Sequence, residues 1–129
     1  CYRVALEYAL ARQQFERPIA SFQLVQAKLV DMLTEITKGQ TLAHQLGRLK
    51  DRGINETPLV SLAKRNNVAM ALEVARAARE ILGAAGITDE WPVGRHLTNL
   101  ESVKTYEGTH EIHTLIVGAE ITGLPAYRG

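Results

Sequence analysis

The stretch SFQLVQAKLVDMLTEITKGQTLAHQLGRLK (residues 21–50) decides the fold class. Its apolar residues Phe22, Val25, Leu29, Met32, Leu33, Ile36, Ala43, Leu46 and Leu49 recur close to an i, i+3, i+4, i+7 pattern, which is one face of a helix. No part of it alternates with the period of two that a half-buried strand requires. Ser21 reads as the N-cap, a side-chain oxygen for the free N–H groups of the first turn. RPIA (17–20) is a break ahead of it, because Pro18 disfavours helix in the residue before it.

Working outward, DRGINETP (51–58) is a turn in which Gly53 caps the second helix and Thr57-Pro58 starts a third as N-cap and N1. That helix runs to about Leu82. It is rich in alanine (Ala63, Ala69, Ala71, Ala75, Ala77, Ala78), so neighbouring helices can approach closely. On the other side, residues 1–15 form a first helix with Val4, Leu6, Ala9 and Leu10 as core positions. GAAGITDEWP (83–92) is a further break, followed by a short helix from about Val93 to Thr105. Gly108 interrupts the pattern and Thr109 caps a last helix to about Thr122. Short connections make neighbours antiparallel. The expected architecture is one all-α domain, an up-and-down four-helix bundle with an extra short helix.

A chain of 129 residues can bury a substantial core. Apolar and charged fractions of 46% and 22% are those of a globular protein, and a net charge of +1 gives no basic surface for nucleic acid or membrane. Cys1 is the single cysteine, which excludes an intrachain disulfide. No apolar run approaches the roughly 20 residues of a membrane span, and no signal peptide pattern is visible. The sequence does not begin with methionine, and CYRVALEYALARQQF reads as a helix already under way, so a piece of a longer protein is expected.

Among candidate sites, HEIH (110–113) places histidines at i, i+3 rather than the i, i+4 of a helical zinc motif, and no metal site is expected. GAAG (83–86) follows a helix, not a strand, so it reads as a helix stop rather than a phosphate loop. Arg12, Arg17, Lys28 and Lys64 read as surface charges. In 104-KTYEGTHEIHTLIVG-118 a carboxylate, Glu107, stands where one helix breaks and another starts. Gly108 lets a ligand come close and Tyr106 supplies an aromatic wall. Desolvated in an apolar slot, such a carboxylate gains basicity and serves as a general base; solvated, it is a surface charge.

In order along the chain, RQQF (12–15), PIASFQ (18–23), KLVDM (28–32), ILGAAGI (81–87) and YEGTHEI (106–112) resemble the C-terminal domain of acyl-CoA dehydrogenases. The resemblance covers essentially the whole chain. It is strongest to the branch that acts on glutaryl-CoA, in SFQLVQAKLVDMLTEITKGQ, SLAKRNNVAMALEVAR, LESVKTYEGTHEIHTLIVG and ITGLPA. It implies a three-domain flavoenzyme with FAD, a homotetramer, an acyl-CoA substrate, electron-transferring flavoprotein as acceptor, and a mitochondrial or bacterial cytoplasmic setting. It implies Glu107 as the base that takes the α-proton of the thioester, with Tyr106 and Gly108 against the substrate. For FAD it implies Arg12 at the phosphates, Phe15 in the same motif, Gln23 near the adenine end, Thr109 and Glu111 after the base, and Tyr127 near the terminus. Glu80, Ile81, Leu82, Gly83 and Ala84 would meet the FAD of a neighbouring subunit. The sequence departs from the family at Glu16, where glycine is usual, and at Ala84-Ala85, where Gly-Asn is usual. Two other readings stand beside this one: a dehydrogenase of another acyl-CoA, and a non-catalytic helical module for assembly.

Overall fold

The computed structural model describes residues 1–54 and 57–126. Among the described residues there are five α-helices: α1 (Tyr2–Ala11), α2 (Gln23–Asp51), α3 (Thr57–Leu82), α4 (Val93–Thr105) and α5 (His110–Thr122). The all-α bundle expected from the periodicity is the observed one. Its centre is α3, which packs against each of the other four helices. The alanines are the reason: Ala75 and Ala78 on α3 are fully buried, and Ala78 meets a core that includes Ala5 and Ala9 of α1, Leu29 and Met32 of α2 and Val93 of α4. Small side chains on both sides let backbones approach, and larger residues fill the remaining space at interior density.

Helix ends follow local chemistry. α2 stops in a Schellman arrangement: Gly53, at φ +77°, donates its N–H to the Lys50 carbonyl, and Ile54 donates to Leu49. Arg48 and Lys50 lie in its last turn, where cations offset the helix dipole. Midway, Gly39 faces α3 so closely that a Cβ there would sit 2.6 Å from the Met70 methyl, and Asn67 Nδ2 donates to the Gly39 carbonyl at 3.1 Å. After α3 a 3-10 turn (Gly83–Ile87) folds back onto its end, and a Cβ on Gly86 would stand 2.6 Å from the Arg79 carbonyl oxygen. Trp91 sets its ring edge-on to Tyr8 with centroids 5.4 Å apart, fastening this connection to α1. Arg76 bridges from Glu73 on its own helix to Glu101 on α4 at 3.0 Å.

Three expectations change. The first helix ends at Ala11, not at residue 15; a hairpin follows, β1 (Gln13–Gln14) with β2 (Arg17–Pro18), antiparallel, Gln14 opposite Arg17. Phe15 and Glu16, at φ +51° and +63°, form its two-residue turn. Two successive positive φ values define the tight hairpin turn usually written Asn-Gly, so QQFE carried no turn signal. Second, Ser21 does not cap α2. Its hydroxyl donates to the Pro18 carbonyl at 2.7 Å inside a short 3-10 turn (Ile19–Ser21), and Phe22 occupies the cap position with extended backbone. Third, Leu10 and Leu33 are surface residues, 57% and 49% exposed. The first helix buries its small-residue face, Ala5 and Ala9, because α3 lies too close for leucine there.

Candidate active site

α4 ends at Thr105, and the cap residue Tyr106 has extended backbone while its N–H still closes the last turn onto the Ser102 carbonyl. Glu107 and Gly108 then adopt φ +52° and +93° before α5 begins. Left-handed backbone costs a glutamate about 1–2 kcal/mol, and such strain persists only where the surroundings enforce it. Thr109 caps α5 as its sequence position predicted, its hydroxyl accepting from the Ile112 N–H at 3.3 Å. Glu111 lies in that first turn. Its own backbone N–H and then the Thr109 hydroxyl hold its carboxyl below the usual carboxylate range.

Two side chains enforce the bend between α4 and α5. From α3, the Lys64 ammonium donates to three consecutive carbonyls: Tyr106, Glu107 at 3.2 Å and Gly108 at 2.7 Å. It also stands 5.7 Å from the centre of the Tyr106 ring. From α5, the ring of His113, only 8% exposed, backs Gly108. A Cβ on residue 108 would lie 2.8 Å from His113 Nε2, so glycine is required there by contact as well as by φ. Neither ring nitrogen of His113 has a hydrogen-bond partner among the described residues. A cavity of about 10 Å³, lined by Lys64, Arg65, Val68, Lys104, His110 and His113, adjoins it.

Glu107 itself is exposed and Tyr106 is 52% exposed. Of the two environments left open by the sequence, the described residues give the solvated one: no apolar slot surrounds the carboxylate among them, and the bend presents Glu107 on an open face.

The remaining predicted residues form a second group at the other end of α3. Arg12 follows α1 and is exposed; Phe15 tips the hairpin, 82% exposed, edge-on to Phe22 at 6.0 Å; Gln23 opens α2 and is exposed. Glu80 binds Lys28 of α2 at 2.5 Å, and that hydrogen bond, followed by the lysine's charge, holds its carboxyl below the ordinary range. Gly83 and Ala84 are exposed on the 3-10 turn. Ile81 and Leu82 point their side chains into the core, 7% and 1% exposed, as the packing period of α3 demands, which leaves their backbone as the part that could meet a ligand. Tyr127 lies outside the described residues. At a rise of ~1.5 Å per residue, Glu80 and Lys64 are about 24 Å apart along α3, so the two groups do not close one pocket within the chain.

Three contributors were not singled out from sequence. Lys64 read as a surface charge, because its acceptors are backbone carbonyls more than forty positions away in a loop. His113 was weighed only as a metal ligand. Arg17, whose guanidinium lies 4.2 Å over the Phe22 ring, is placed by the hairpin that the helical reading missed. A cation on the helix facing a YEGT bend is the signal that would have identified Lys64.

The profile described as "Acyl-CoA dehydrogenase, C-terminal domain" matches residues 1–122. A crystal structure of a glutaryl-CoA dehydrogenase from Mycobacterium smegmatis superposes with a TM-score of 0.97 at 58% identity, over 99% of this chain and 33% of that one. A second glutaryl-CoA dehydrogenase structure from the same organism, in complex with FADH2, gives 0.96 at 44% identity, over 98% of this chain and 33% of that one. The short-chain-specific acyl-CoA dehydrogenase of Megasphaera elsdenii is 32% identical over 117 residues, 91% of this chain. The chain spans about 30% of the length of that relative. By the profile match, the conserved architecture and the YEGT bend at Glu107, this chain belongs to the acyl-CoA dehydrogenase family, as its C-terminal domain.

Proposed function

We propose that this chain is the C-terminal part of an FAD-dependent acyl-CoA dehydrogenase acting on glutaryl-CoA, with Glu107 as the base that removes the α-proton of the thioester. The observation that carries the reading is the Glu107 bend itself: an exposed carboxylate on left-handed backbone, braced from behind by Lys64 and His113. An α-proton next to a thioester is weakly acidic. Its removal needs a carboxylate held within reach, and hydrogen-bond donors where the enolate oxygen develops charge. The bend offers both, a carboxylate side chain and backbone N–H groups on the same few residues.

The residues present fit FAD. Arg12 carries a guanidinium suited to phosphate, Gln23 an amide suited to a ring edge, and Phe15 an open aromatic face, all exposed at one end of the bundle. Gly83 and Ala84 are exposed on the adjacent turn, and Thr109 and Glu111 follow the base. When bound, FAD supplies the acceptor for the two electrons that leave the β-carbon as hydride. Glu107 takes the α-proton onto its carboxylate. The walls that exclude water from it come from outside this chain.

The choice of glutaryl-CoA, with decarboxylation to crotonyl-CoA after dehydrogenation, draws support from the similarity to two glutaryl-CoA dehydrogenases. The 24 Å separation along α3 supports a homotetramer in which the Glu80–Ala84 segment serves a neighbouring subunit's cofactor. Electron-transferring flavoprotein is the proposed acceptor. The test is glutaryl-CoA-dependent bleaching of flavin absorbance in the full-length enzyme, wild type beside Glu107→Gln. Bleaching in wild type and none in a variant that keeps its flavin is expected. A flavin-loaded wild type that does not bleach would overturn the glutaryl assignment, and a variant that bleaches at the wild-type rate would overturn the base.

A further inference from the structure

We infer that Lys64 is the positioning residue of this site: its ammonium sets the backbone that aims Glu107 and turns three N–H groups toward the substrate side. The inference rests on the reading of Glu107 as base and adds a residue to it. An ammonium has three donors, and here all three acceptors are successive peptide carbonyls, those of Tyr106, Glu107 and Gly108. In a planar trans peptide the C=O and the following N–H point in opposite directions. Drawing three carbonyls to one cation therefore turns the N–H groups of Glu107, Gly108 and Thr109 to the opposite face. None of these three N–H groups has an acceptor among the described residues. An unpartnered N–H on that face favours negative charge beside it, the charge an enolate oxygen develops.

A lysine that merely closed a helix end would bind the last carbonyls of α4. Lys64 instead binds the residues beyond it, the two with positive φ included. His113 fills the space behind Gly108, so the bend is pinned on two sides by side chains from different helices. Lys64 sits on α3, the helix that touches every other, and so transmits the rigidity of the core to the base.

The test uses the full-length flavoenzyme with Lys64→Met, Lys64→Arg and Glu107→Gln. Two quantities are read: exchange of the α-protons of bound acyl-CoA with deuterium oxide, and amide hydrogen exchange of the peptide spanning 104–110. Lys64→Met is expected to slow α-proton exchange about 10²-fold, the cost of misplacing a reacting group by about 1 Å. Substrate affinity per flavin-bound site should stay within about threefold, separating positioning from binding. Amide exchange at 104–110 should quicken while the rest of α4 and α5 is unchanged. Lys64→Arg, with charge but a planar fork in place of three tetrahedral donors, should recover part of the rate. Wild-type α-proton exchange in Lys64→Met would overturn the inference, as would a loss fully accounted for by missing flavin. Should Lys64→Met fail to fold, Lys64→Arg decides: unchanged exchange at both readouts overturns the inference, and a slowed α-proton with quickened amides supports it. Glu107→Gln separates the two claims. If it is inactive while Lys64→Met behaves as wild type, only the positioning role fails; if it exchanges normally, the base assignment fails.

Discussion

Two adjacent residues, Glu107 and Gly108, both take left-handed backbone at the seam between α4 and α5, and they tolerate substitution differently. At Gly108 both φ +93° and the His113 ring 2.8 Å from a would-be Cβ oppose any side chain. Gly108→Ala is therefore expected to lower unfolding free energy by about 1–3 kcal/mol, read as a reduced urea midpoint at unchanged slope. An unchanged midpoint would mean that the His113 side yields freely and that the bend is not rigid. This residue was legible in sequence, because glycine after the glutamate announced both a helix break and a close approach. The strained pair Phe15-Glu16 was not. Positive φ at a phenylalanine and a glutamate is held by hairpin pairing and Phe22 contacts that are formed by residues outside the turn. Glu16, at the position where the resemblance implies glycine, adopts the left-handed conformation that glycine takes most readily.

At the level of elements, α2 and α3 were readable from their apolar period and alanine content, and α4 and α5 from breaks at Pro92 and Gly108. α1 was overextended because Gln13 and Gln14 suit a helix as well as a strand, and only the return of the chain at Arg17 decides between them. How α2 lies on α3 could not be read, since it depends on pairs such as Lys28–Glu80 and Asn67–Gly39 that are distant in sequence. The Lys28–Glu80 pair makes a pH-dependent prediction. Lys28 depresses the Glu80 pKa from its ordinary 4.5 in the folded chain. Such a group stabilises the fold above the unfolded value, and the contribution is lost as pH falls through the depressed folded value. Glu80→Gln should therefore flatten the decline in melting temperature on the acid side of pH 4.5 and leave the slope above it unchanged. The pair is solvent-exposed, so the difference should be small and should vanish in high salt. An identical acid limb in the variant at low salt would show that the ion pair forms no better in the folded chain than in the unfolded one.

For the whole molecule, the decisive property is the placement of two groups of candidate site residues toward separate ends of one long helix, α3. Ligand sites bury most of a bound small molecule against converging walls. Here Glu107 lies on an open face, while Phe15 and Leu24 at the opposite end are 82% and 81% exposed. A dissociation constant of 1 μM requires about 8 kcal/mol of net binding energy, and an open patch holding one side of a dinucleotide buries too little to reach it. The 129-residue chain by itself is accordingly expected to retain no FAD and to catalyse no oxidation of glutaryl-CoA, although its helices fold. Equilibrium dialysis of the chain against FAD at about 10 μM should leave equal flavin on both sides, with flavin fluorescence unquenched and circular dichroism showing a helical protein. Stoichiometric retention of FAD would mean that the hairpin and the Glu107 bend close on one ligand despite the length of α3 between them, or that copies of the chain associate to complete the site. Sedimentation at the same concentration separates these cases, because only the second raises the mass with flavin bound.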